Sequence, residues 1–373
     1  MQQILKMLNV VNRGDTMQNV IWPIVPHTKA KHEILRRYLK AWFPIIAFSG
    51  SPRLVYVDGF AGPGEYNGGE EGSPAIAMRT LIEHRLRQKF SKKEFIFLFI
   101  DKEKERAKYL ENLLEGKFPD CPPNILYDII GAEFEPTLTS ILDDLEEKGA
   151  NLAPTFAFID PFGFSGFTIP TLCRFFQYKK CEVLITFMDG FAKRFLDELR
   201  EDTLDNLFAS EKWRAARALS GRYRELCLLD LFVEQLKNLG NVKYVRTFGM
   251  SKGRRHIYDL VFATNGLDGL KVMKDAMWAV DPTGSYKFSD TTAGQTFLID
   301  YLSYVPEIAD CIYKTFRGKT AAVEEIKEFT IVETPYIFRK APLKLLEENN
   351  KIDNVSGRSR RYTYPDRCRI TFC

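Results

Sequence analysis

The sequence predicts an α/β fold, a mostly parallel sheet with helices packed on both faces. Three observations carry that expectation. Apolar runs of strand length recur, each followed by a stretch of helical length, and such alternation implies right-handed crossovers between parallel strands. Two of the runs, Leu54-Val-Tyr-Val-Asp58 and Phe95-Ile-Phe-Leu-Phe-Ile-Asp101, are apolar up to a terminal acid, the pattern of strands covered on both faces. The first is followed at once by a glycine-rich turn, Gly59-Phe-Ala-Gly-Pro-Gly64. Ligands of open α/β sheets bind at the carboxyl ends of the strands, where glycine lets backbone come close and a carboxylate can accept from ribose hydroxyls. A nucleoside-containing cofactor is therefore the first functional expectation.

The elements follow in order. Residues His27 to Phe48 place Ile34, Leu35, Tyr38, Leu39 and Trp42 on one helical face, and Pro44 should bend or break that helix. Strand 54–58 and the glycine turn lead to a helix from about Pro74, a proline well suited to a first turn. Strand 95–101 precedes a charged helix from Lys102 to Leu114. Asn124 to Ile130 reads as a third strand and Pro136 to Lys148 as a helix. Thr155-Phe-Ala-Phe-Ile-Asp160 is a fourth strand, with a helix near Ile169 to Phe176, and Glu182 to Phe187 is a fifth. Residues 190–240 read as a helical insertion. Val242 to Met250 and His256 to Thr264 flank a glycine-containing turn and form a hairpin. Beyond it, Thr320 to Glu328 reads as a short helix, Pro335 to Asn350 contains another, and Lys351 to Val355 with Cys368 to Phe372 reads as a β-ribbon, the pattern of a winged helix-turn-helix. The expected organisation is an N-terminal helical segment at 1–50, a Rossmann-like domain with a seven-stranded sheet at 51–300 and a winged helix at 301–373. Residues 1–16 read as a poorly ordered leader.

Composition bounds the class. At 373 residues there is ample chain for a large core, and 45% hydrophobic with 27% charged residues are ordinary globular values. The net charge of +4 decides little, but the last 23 residues are locally basic. Seven dispersed cysteines with no C-x-x-C point to reduced thiols rather than a disulfide frame or metal site. No apolar run approaches the roughly 20 residues needed to span a bilayer, and no signal peptide is visible, so the expected setting is cytoplasmic.

The glycine turn separates two cofactor classes. A dinucleotide fingerprint needs G-x-G-x-x-G, and Gly62-x-Gly64 is followed by Asn67 instead. The acid-x-Gly-x-Gly-x-Gly string of class I methyltransferases is matched at its acid and last two glycines, with Phe60 in the first glycine position. Five parallel strands closed by a hairpin are also the arrangement of that class. The cofactor expected is S-adenosyl-L-methionine, held by Asp58, Gly59, Phe60, Gly62, Gly64, Asp101, Lys102 and Glu133. Asp101 would bind ribose hydroxyls or cap the following helix; Glu133 would accept from the adenine amine or stand as an exposed first-turn acid. His27, Lys29, Lys31 and His32 form a basic helix start bordering the loop.

Asp160-Pro-Phe-Gly163 after the fourth strand carries the chemistry. An exocyclic amine is a poor nucleophile because its lone pair is delocalised into the base. Asp160 and the Pro161 carbonyl can accept its hydrogens, while Phe162 or Phe164 stacks on the base, so positioning supplies most of the catalysis. Asp-Pro-x-Gly is equally good turn chemistry.

Over residues 20–373 the chain resembles the three-Cys-motif partner protein family. The resemblance runs through His27-Thr-Lys-Ala-Lys-His32, Tyr56-Val-Asp-Gly-Phe-Ala-Gly-Pro-Gly64, Gly72-Ser-Pro74, Phe158-Ile-Asp-Pro-Phe-Gly163, Leu260-Val-Phe-Ala-Thr-Asn265 to Met277-Trp278 and Asp281-Pro-Thr-Gly284. It implies a methyltransferase-like fold, a C-terminal winged helix and a partner, similar to a radical S-adenosylmethionine enzyme, that carries the three cysteines. Tyr56 to Tyr66 also resembles bacterial ribosomal-RNA adenine-N6 methyltransferases, with Phe60 where those usually have histidine and Pro-Phe for Pro-Pro. Asp160-Pro-Phe-Gly163 resembles the motif of tRNA guanine-N2 methyltransferases. The function expected is methyl transfer to an exocyclic amine of a nucleic-acid base, RNA or DNA, with Arg358, Arg360 and Arg361 of the wing on phosphate. The alternative is a non-catalytic S-adenosylmethionine-binding adaptor of the radical enzyme.

Overall fold

A computed structural model describes residues 20–161, 163, 166–188, 201–292 and 301–373. The expected leader at 1–16 and residues 190–200 of the insertion lie outside the described residues.

Five strands run parallel: β1 (Arg53–Asp58), β2 (Glu94–Ile100), β3 (Ile125–Ile130), β4 (Thr155–Ile159) and β5 (Cys181–Phe187). The hairpin of β6 (Tyr244–Lys252) and β7 (Arg255–Thr264) inserts β7 antiparallel beside β5. The expected seven strands are joined by a short β8 (Lys287–Ser289), parallel to β6 at the edge. The order is β3-β2-β1-β4-β5-β7-β6-β8. Its first seven strands have the arrangement of class I methyltransferases.

Helices cover both faces. On one lie α1 (Pro26–Phe48), α2 (Ser73–Ile82) and α3 (Lys104–Lys117), with α8 (Leu267–Val280) beside them. The other carries α4 (Phe134–Glu147), α5 (Ile169–Phe176), α6 (Glu201–Phe208) and α7 (Gly221–Asn238), so the described part of the insertion is helical as expected. Strand residues divide by their period of two: Tyr56, Phe97, Phe156 and Phe262 pack under α1, while Val57, Ile159 and Val183 face α4 and α5. The face Ile34, Leu35, Tyr38, Leu39 and Trp42 of α1 is buried as its spacing predicts.

Two local expectations are corrected. Of the bend or break expected at Pro44, the break does not occur, and α1 runs on to Phe48. Proline has no N–H, so the Lys40 carbonyl loses its helical donor. The His84 Nε2, 3.0 Å from that carbonyl, replaces it, and its Nδ1 accepts from the Leu86 N–H at 3.1 Å, which fixes the tautomer. The second correction concerns Thr320, expected to open a helix. Thr320–Ala322 is instead a strand, β9, and α10 begins after it (Val323–Glu333). Pairing with β11 (Arg369–Phe372) outweighs the local helical pattern. With α9 (Tyr301–Phe316), α11 (Ala341–Glu348) and β10 (Ile352–Ser356), these form a C-terminal unit around a small sheet in the order β10-β11-β9. No helix among the described residues is long and apolar enough to cross a membrane.

Candidate active site

The chain reverses its direction of growth across the sheet between β1 and β4, and such a switch point leaves a crevice at the carboxyl ends of the strands. Asp58 lies opposite Phe158 in the β1–β4 register, so the glycine turn after β1 and Asp160-Pro161 after β4 emerge side by side. Gly62 and Gly64 have φ of +60° and +83°, the left-handed region in which glycine carries no Cβ penalty. A Cβ on Gly64 would lie 2.5 Å from Leu110 of α3, so the turn rests directly on that helix.

Asp101 fastens this turn. Its Oδ2 accepts from the Gly62 N–H at 2.9 Å and its Oδ1 from the Glu103 N–H at 2.8 Å, just before α3. Phe60 also finds its reason. Its ring packs against Phe134 with centroids 5.8 Å apart, and a Cβ on Gly166 would lie 2.7 Å from it. The aromatic at the first fingerprint position thus fills space that a glycine on the facing loop leaves open.

A cavity of about 210 Å³ lies between the turn and α1, walled by residues 60–66, His27, Lys31, His32, Asp160, Pro161, Met188 and Tyr258. Its centre is an ion pair. Lys31 Nζ binds Asp160 Oδ2, with the two side chains 6% and 22% exposed. The ammonium also lies 5.4 Å from the centroid of the Tyr258 ring, within cation–π range. Asp160 Oδ1 has no hydrogen-bond partner among the described residues. Beneath this pair Asp58 is fully buried. Burial pushes its carboxyl up to about 7; a hydrogen bond from Ser73 opposes the rise and the neighbouring Asp160 charge adds to it. Burial, reinforced by Lys31, pushes His32 down to about 3, so its ring is neutral, and its Nδ1 has no partner among the described residues.

Asp58 therefore gives a pH test. A carboxyl raised by folding contributes stability that is complete below its unfolded value of about 3.9 and is lost as pH rises through about 7. Wild type is expected to lose stability relative to Asp58→Asn between those values in thermal melts across pH. Parallel curves for the two proteins would refute the shift.

No family model and no curated protein matches the chain. Among solved structures it overlays on a Klebsiella pneumoniae protein described as an O-methyltransferase, at 10% identity and a TM-score of 0.32, covering 68% of this chain and 96% of that one. A Staphylococcus aureus protein described as a caffeoyl-CoA O-methyltransferase gives 7% identity and a TM-score of 0.28, over 61% of this chain and 82% of that one. EvdMO1 gives 11% and 0.31 over 79% of this chain, which spans about half of EvdMO1 (51%). The fold assignment rests on the strand order rather than on these overlays.

Of the residues expected at the site, Phe60, Gly62, Gly64, Asp160 and Pro161 line the cavity. Asp58, Gly59 and Asp101 lie behind its wall, where a Cβ on Gly59 would strike the Phe134 ring. Lys102 and Glu133 are exposed and do not line it. Phe162 and Phe164 lie outside the described residues. In the C-terminal ribbon, Arg358 is committed internally to both oxygens of Glu347, at 2.6 and 2.7 Å, while Arg360 and Arg361 are exposed. Lys31 was legible only as one of several basic residues on α1. Tyr258, brought in by β7, left no local signal.

Proposed function

We propose that the protein is an S-adenosylmethionine-dependent methyltransferase acting on an exocyclic amine of a nucleic-acid base. The observation that supports this reading is the opening of Asp160-Pro161 into the same cavity as the Gly62–Gly64 turn. The turn fits a cofactor: a Cβ on Gly62 would meet nothing nearer than the Trp22 ring at 3.9 Å, so the space beside its backbone is open. The bound cofactor would supply an electrophilic methyl group. At about 210 Å³ the cavity is below the roughly 300–1,000 Å³ of typical small-molecule sites. In this reading the adenosine lies beyond the turn, toward Asp101, Lys102 and Glu133.

The chain's own groups then have distinct tasks. Lys31 holds Asp160 by one oxygen and leaves Oδ1 to accept an amine hydrogen. The Pro161 carbonyl accepts the other. Phe60, Met188 and Tyr258 wall the cavity and exclude water. The same ion pair is the observation that favours the rival reading, an adaptor docking a three-cysteine radical enzyme, because it consumes part of the acceptor's capacity. The C-terminal unit is read as a winged helix that positions nucleic acid.

Two measurements test the proposal. Calorimetry with S-adenosylmethionine is expected to show binding, and no heat with wild type would remove the cofactor. Labelled-methyl transfer to total RNA or DNA is expected to fall about 10²-fold or more in Asp160→Ala, which removes the acceptor. Equal transfer by both proteins would remove Asp160 from the chemistry.

A further inference from the structure

A groove of about 1,360 Å³ runs between α7 and the β6–β7 hairpin, and the mechanism above makes no use of it. It meets the small cavity: His27 and Met188 line both spaces. Its charge is one-sided. Lys252, Arg254, Arg255 and Lys287 line it from the hairpin and the edge strand, all exposed, and among the described residues none of them makes an ion pair. The acids of the groove are largely spoken for. Asp259 is bound by Arg222 at 3.2 Å and lies 2.9 Å from His256, and Glu225 lies 3.5 Å from Arg222, which leaves Asp230. Cations aligned along a groove that opens into a reaction cavity make a track for a polyanion, since field lines concentrate between low-dielectric walls.

The width of the cavity selects the form of that polyanion. About 210 Å³ cannot admit a base pair, so a base reaching Asp160 must already be out of its stack. We infer that the hairpin groove carries the phosphodiester backbone of a single nucleic-acid strand, with the target base turned in past His27 and Met188. This rests on the proposed function and deepens it. It also moves the main phosphate contacts from the C-terminal ribbon, where Arg358 is tied to Glu347, to the β6–β7 hairpin.

The test uses the full chain and fluorescent strands of about 15 nucleotides, within the span of known single-strand grooves. Oligo-uridine and oligo-thymidine arms distinguish RNA from DNA. Wild type is expected to bind, with log affinity falling linearly in log salt by about 0.7 per phosphate neutralised. The triple variant Lys252→Glu, Arg254→Glu, Arg255→Glu is expected to bind at least tenfold more weakly at low salt, with a slope shallower by about 2. The control Arg360→Glu, Arg361→Glu is expected to lose less. No strand binding by wild type, an unchanged triple variant, or a control that loses as much as the triple would each overturn the groove. Calorimetry with S-adenosylmethionine on the same proteins keeps the two claims apart. Cofactor binding with strand affinity indifferent to the hairpin sinks the groove alone. Strand affinity lost on charge reversal in a protein that binds no cofactor sinks methyl transfer alone.

Discussion

Replacing Lys31 with methionine is expected to destabilise the protein by about 3–5 kcal/mol, the cost of leaving one member of a buried ion pair alone. An exposed pair would be worth no more than about 1 kcal/mol. Burial decides between the two figures: the Lys31 side chain is 6% exposed and that of Asp160 22%. Methionine has about the length of the lysine stem, so the change removes charge with little loss of packing. The stranded Asp160 carboxylate would then face Asp58, whose own carboxyl is already raised by burial and by Asp160. Asp160→Asn is expected to cost less, since its amide oxygen can still accept from Lys31. The double variant Lys31→Met, Asp160→Asn is expected to recover much of the loss, because contacting residues are not additive. Denaturant melts with an unchanged m-value give all three numbers. A Lys31→Met cost below about 1 kcal/mol would show that the pair is solvated and does not organise the cavity.

The fold was legible where local pattern and tertiary environment agree. Leu54 to Val57 and Phe95 to Ile100 are apolar throughout because both faces of their strands are covered, and they lie beside each other in the sheet. Local reasoning failed where a distant partner overrode it. Pro44 obeys its rule in removing a helical hydrogen bond, yet His84, forty residues away, supplies the missing donor. Thr320–Ala322 has helical spacing but is captured by β11. β8 is too short, at three residues, to carry a period. The site divides the same way. The glycine turn and Asp160-Pro161 could be found because strand ends are where such folds bind. The Lys31–Asp160 pair spans 129 positions, and Tyr258 reaches the cavity only through the β5–β7 pairing. Nothing local distinguishes Lys31 from Lys29, which pairs with Glu70 at the surface.

At neutral pH Lys274→Met is expected to cost about 2–4 kcal/mol, because Lys274 closes the carboxyl end of α10. It is fully buried on α8 and donates to the carbonyls of Ile331 at 2.7 Å, Thr334 at 2.8 Å and Thr330 at 3.4 Å. The last carbonyls of a helix have no partner within it, so a buried donor there satisfies groups that would otherwise be bare. Arg246 of β6 adds bonds to the Ile331 and Val332 carbonyls at 3.4 and 3.2 Å. Lys274 and Arg246, donors from the sheet and its cover, thus hold the end of α10, and Arg246 alone leaves the Thr334 carbonyl bare. The dependence on pH has a definite sign. Burial, with Arg246 adding and Asp275 opposing, pushes Lys274 down to about 6. A depressed amine contributes stability that is complete above its unfolded value of about 10.4 and is lost as pH falls through about 6. The gap between wild type and Lys274→Met should therefore widen as pH rises from about 6 toward 10, by up to about 1.4 kcal/mol per unit. A large gap that stays flat with pH would mean that the three carbonyls hold the ammonium charged and that burial does not dominate. A small gap at every pH would mean that α10 is held to the sheet by its apolar face alone.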